Sequence, residues 1–159
     1  MSYTHNSDLS HYDKCYRSTN CGSYALRLNE WYHLNELFEN VTGSFTDDWV
    51  TDMGNEGLTD YEISCIYEDI LVDCLLNDFE GELKLCTGNK PKDPNIELIA
   101  FNTFCYYDAG GYSDYDFHFK VFRDGVWKEK CGALKVRECE EDDWGEYIGE
   151  TIYFYHRIK

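Results

Sequence analysis

Proline is scarce, with only Pro91 and Pro94 in 159 residues, so no proline-rich linker divides the chain. No stretch approaches the about 20 consecutive apolar residues of a membrane span, and no internal repeat marks a solenoid. Met1 to Lys14 holds no apolar run, so no secretory signal is expected and a cytoplasmic location follows. A Cys-x-x-Cys pair is missing and the five histidines are scattered, which argues against zinc; no metal and no cofactor is expected. Basic residues are few, 14 against 31 acidic, for a formal charge of −17. Such a surface repels a phosphate backbone, so direct nucleic-acid binding is not expected, and neither is a membrane.

What is present points to a packed core. Hydrophobic residues make up 43% of the chain and aromatics 17%. A chain of this length buries roughly two-thirds of the surface its unfolded form exposes, enough for one domain spanning residues 1–159. The eight cysteines are read as reduced thiols, because Cys65 and Cys74 fall on the apolar face of a helix and free cysteine behaves as a small buried hydrophobe.

Residues 1–20 are polar and read as an arm on the domain; 21–78 read as mainly helical; 82–159 read as an antiparallel sheet. A short helix begins at Cys21, capped by Asn20 or Thr19, and Trp31 to Phe38 continues as a turn or a second short helix. Thr59-Asp60-Tyr61-Glu62 has the form of a capping box. Ile63, Ile66, Tyr67, Ile70, Leu71, Cys74 and Leu75 then follow helical spacing, with Glu62, Glu68, Asp69 and Asp73 on the other face. A weaker helix spans Thr46 to Met53. Ile96 to Tyr106 reads as a central strand, and the Ala109-Gly110-Gly111 connection leads to Tyr115–Phe122, where apolar and polar residues alternate. Asp124-Gly125 is a hairpin turn, returning through Val126 to Cys131. Leu134 to Arg137 and Thr151 to Ile158 are further strands, and the acidic run Glu138 to Asp143 is a solvated loop. Helices first and strands after indicate an α+β fold.

Two segments carry candidate chemistry. Cys21 stands at the first turn of a helix, where unpaired amides and the dipole favour thiolate, and small residues at Gly22 and Ser23 leave room for a substrate carbonyl. His118 alternates with aromatics on a strand, and antiparallel pairing makes Glu129 a rough cross-strand neighbour able to hold its ring; Asp116 is a second acid near enough for that role. Cysteine, histidine and an orienting acid have the logic of an activated nucleophile, and the acidic surface favours a thiolate–imidazolium pair. His5, His11, His33 and His156 lack metal spacing, the 138–143 run lacks the interleaved glycine of a calcium loop, and Gly110-Gly111 lacks the context of a phosphate loop.

Asn-Cys-Gly-Ser-Tyr-Ala-Leu at 20–26 and Asp-Phe-His-Phe-Lys-Val-Phe-Arg-Asp-Gly-Val-Trp-Lys-Glu-Lys-Cys-Gly at 116–132 resemble a group of phage and bacterial papain-like cysteine hydrolases. These are similar in turn to bacterial cell-wall endopeptidases of the papain superfamily. The resemblance implies a papain-like fold with Cys21 as nucleophile, His118 as base and position 129 as orienter, and it adds Trp127 to Gly22 and Ser23 as a substrate-contacting position. Position 129, where the family pattern has His, is Glu here, and Cys131 stands where Pro is common. A peptide or amide substrate follows, and the cytoplasm is then a host cell's if the chain is phage-encoded. A different class stays open on the charge alone: a non-enzymatic acidic interaction protein that blocks a basic, nucleic-acid-binding partner.

Overall fold

The computed structural model describes residues 6–108, 110 and 112–159. Five helices come first: α1 (His11–Lys14), α2 (Cys21–Leu26), α3 (Leu34–Thr42), α4 (Thr46–Asn55) and α5 (Asp60–Asp78). Six strands follow: β1 (Leu83–Cys86), β2 (Ile96–Tyr107), β3 (Ser113–Arg123), β4 (Val126–Lys130), β5 (Val136–Glu138) and β6 (Ile152–Arg157). They form one antiparallel sheet in the order β1-β6-β2-β3-β4-β5. The fold is therefore α+β. His5, Ala109 and Gly111, named in the sequence reading, lie outside the described residues.

The strongest local signals are realised. Thr59 and Glu62 close the capping box of α5, each side chain bonding the other's backbone amide. Asp124 and Gly125 both adopt positive φ, the geometry that a two-residue hairpin demands. The Trp31–Phe38 region resolves into α3, which starts three residues later than its first aromatic and stops at Gly43 in the left-handed region. No strand is expected at 83–86, because four residues give too short an alternation; β1 is an edge strand paired only with β6. All eight cysteines are free thiols.

The inner face of the sheet, including Ile99, Phe101, Phe119, Val121 and Phe154, packs on α5 and forms the main core with Leu26, Phe38, Tyr67 and Leu71. The opposite face carries a second, smaller cluster of Leu98, Ala100 and Trp127, flanked by Phe122, Trp144, Tyr153 and Tyr155. One expectation for a polar residue is corrected. Glu68 is not on a solvated helix face but is buried against β2, because α5 is covered on more than one side. The 138–143 run is the mostly exposed loop expected, and its backbone carbonyls at Glu140, Glu141 and Asp143 accept from the Lys120 ammonium at 2.6, 3.4 and 2.5 Å, beneath the Trp144 ring.

Candidate active site

The start of α2 is fixed from three directions. Asn20 accepts from the Ser23 amide at 3.0 Å while Ser23 Oγ accepts from the Asn20 amide at 3.1 Å. The same carboxamide bridges to Tyr32, donating to its carbonyl at 2.9 Å and accepting from its amide at 3.2 Å. The Lys130 ammonium, fully buried, donates to the carbonyls of Tyr16, Thr19 and Gly132 and so ties the N-terminal arm to the end of β4. Gly22 is needed here, since a Cβ would stand 2.9 Å from Tyr32 Cδ2 and 3.3 Å from Phe119 Cε2.

Cys21 and His118 line one cavity of about 380 Å³, together with Asn20, Trp31, Asn35, Asp116, Cys131 and Tyr147. Both side chains are nearly closed off, at 6% and 7% exposure. His118 sits on the sheet face opposite the inward Phe117 and Phe119, and α2 comes against the end of β3 where its pairing with β4 stops at Lys120–Glu129. Both residues line the cavity beside that edge.

Glu129 is the acid that holds the imidazole. Its Oε1 lies 2.8 Å from His118 Nε2, and its Oε2 accepts from Arg137 Nε at 2.8 Å. The hydrogen bond from His118 chiefly, with Arg137 in support, outweighs burial and holds this carboxyl down at about 2. In register Glu129 faces Lys120, two residues from His118 and on the same sheet face. Asp116 has other work: its Oδ1 accepts from the Phe117 amide at 2.8 Å and its Oδ2 from the Tyr147 hydroxyl at 2.7 Å. Nε2 is thus engaged by Glu129, and Nδ1 is the ring nitrogen outside that bond.

Burial works against the expected thiolate. Burial pushes the Cys21 thiol up to about 12; amides of Phe119 and Gly22 act against this, and Asp116 and Cys131 add to it. A helix of six residues has too small a dipole to win against desolvation. The sulfur stands 3.9 Å from the Phe117 carbonyl, to which the thiol can donate.

The expected substrate positions divide. Ser23 Oγ is engaged by Asn20 and the Glu30 carbonyl, and Gly22 packs inward, so neither lines the cavity. Trp127 lines a second cavity of about 800 Å³, with Lys90, Phe122, Arg137 and Trp144, which also takes in His118 and Glu129. Sequence reasoning missed Tyr147 and Trp144, whose rings stand 5.7 and 6.1 Å from that of His118. It also missed Cys131. Carrying the hairpin register one step past Lys130 sets position 131 opposite 118, a signal that the Asp-Gly turn alone supplies. Ligand atoms of His118, Glu129 and Cys131 all lie within 4.8 Å of one another, the one such metal-capable group among the described residues. Compared with known proteins, the chain matches no family model, no curated protein and no solved structure.

Proposed function

We propose that the chain is a papain-like cysteine hydrolase that cleaves an amide or ester carbonyl through an acyl-Cys21 intermediate. The observation that carries this reading is the shared cavity, in which the Cys21 thiol and an imidazole anchored through Nε2 by Glu129 face the same enclosed space. Because the resting thiol is neutral, proton transfer to His118 Nδ1 accompanies attack of the sulfur on the carbonyl. Glu129 keeps the ring in one tautomer and stabilises its positive charge. The first-turn amides are the nearest donors for the oxyanion. His118 then gives the proton to the leaving group, and water, deprotonated by the same nitrogen, releases the acyl group. A cavity of about 380 Å³ admits a peptide side chain or a small amide, so the substrate is an extended chain end or small molecule.

The test is turnover of a p-nitrophenyl ester by the reduced chain. Expected are catalytic release by the wild type, none by Cys21→Ala, and a loss of about 10²-fold or more in His118→Ala. Release by Cys21→Ala at the wild-type rate overturns the reading. The formal charge of −17 favours a second reading, an acidic protein that occupies the groove of a basic partner. Its signature is capture of a basic nucleic-acid-binding protein that collapses between low and moderate salt and is indifferent to Cys21→Ala.

A further inference from the structure

We propose that His118, Glu129 and Cys131 form a binding site for a thiophilic divalent cation of the zinc class, and that its occupancy silences the Cys21–His118 pair. The second half rests on the hydrolase reading above; the first half stands without it.

Three different donors, imidazole nitrogen, carboxylate oxygen and thiol sulfur, converge from one hairpin. His118 and Glu129 are buried and Cys131 partly so, and the hairpin register brings all three to one place. In a tetrahedral site with bonds of about 2.0–2.3 Å, neighbouring ligand atoms stand roughly 3.3–3.8 Å apart. The observed spread, from 2.8 Å between His118 and Glu129 to an upper bound of 4.8 Å, brackets that range. Moving from that spread into the range takes a shift of about an ångström. Thiolate with imidazole selects zinc-class ions over magnesium or calcium.

The surroundings suit a cation as well. Arg137 already holds the far oxygen of Glu129 at 2.8 Å, the outer contact that orients a ligating carboxylate. The net charge of −17 raises the local concentration of any divalent cation. On binding, the Cys131 S–H proton passes to solvent and a sulfur–metal bond forms. The Nε2–Glu129 hydrogen bond is replaced by two bonds to the ion. With Nε2 on the metal, the ring's remaining proton sits on Nδ1, the atom that must accept the Cys21 proton. The base is thereby blocked.

Cobalt(II) titration of the reduced full-length chain tests the site. A thiolate-to-cobalt charge-transfer band should grow to one equivalent and be displaced by zinc. It should persist in Cys21→Ala, vanish in Cys131→Ser and Glu129→Gln, and need about 10-fold more cobalt in Arg137→Ala. Circular dichroism of each variant confirms that it is folded, and either of the two ligand variants suffices if the other is not. No band at about millimolar cobalt, or an undiminished band in folded Cys131→Ser, overturns the site. Zinc should also stop ester turnover by the wild type at one equivalent. A band without turnover in the metal-free chain sinks the hydrolase reading alone, and turnover without a band sinks the metal site alone.

Discussion

Glu68 gives the most quantitative prediction. Its side chain is 1% exposed, with Thr103 Oγ1 3.3 Å from Oε2. Gly149 packs so closely that a Cβ there would lie 2.8 Å from the same oxygen, leaving no layer of water. Burial, with Asp69 and Glu150 adding to it against the Thr103 bond, pushes this carboxyl from 4.5 up to about 8. A carboxyl raised in the folded state contributes stability that is fully present below its unfolded value and is lost as pH rises through its folded one. The gap of roughly three and a half pH units corresponds to about 5 kcal/mol at full ionisation; relaxation and entering water reduce this to ~2–4 kcal/mol. Glu68→Gln keeps the shape and cannot ionise. Urea unfolding at pH 5 should give near-equal stabilities for wild type and variant, and at pH 8 the variant should be the more stable by ~2–4 kcal/mol. An equal difference at both pH values would refute the reasoning.

Two further predictions concern buried charge. Glu97 is clasped by Arg27 and by Arg123, at 2.9 and 2.7 Å; burial pushes its carboxyl up but both guanidiniums outweigh this and hold it at about 2. Glu97→Gln leaves two guanidiniums facing a neutral amide and should cost ~3–5 kcal/mol at pH 7 in chemical unfolding. For this depressed group the wild type's advantage is lost as pH falls from 4.5 towards 2, so the two curves should converge in acid. Lys130→Met removes the ammonium shared by the Tyr16, Thr19 and Gly132 carbonyls. It should cost on the order of 3 kcal/mol and expose residues 6–18 to limited proteolysis.

Much of the frame was legible because local chemistry and periodicity agreed. The Thr59–Glu62 box, the Asp124-Gly125 turn and the unbroken apolar run of β2 each carry their own cause in neighbouring residues. The pairing of Glu129 with His118 was legible from the hairpin register. What could not be read was which acid does what: Asp116 is bound by Tyr147, a residue supplied from a loop 31 positions on. The burial that pushes the Cys21 thiol up depends on how deeply α2 is packed, which no stretch of sequence states. Glu68 failed for the same reason, as helical periodicity identifies one buried face and α5 is covered beyond it.

The central claim is that sulfur and imidazole act as one device on a carbonyl. Its most direct measurement is mass spectrometry of the chain quenched with acid during reaction with p-nitrophenyl acetate, followed by peptide mapping. One acetyl group on Cys21, missing from His118→Ala, is the predicted result. Acetyl spread evenly over all eight cysteines, or none on Cys21 while ester is being consumed, contradicts it.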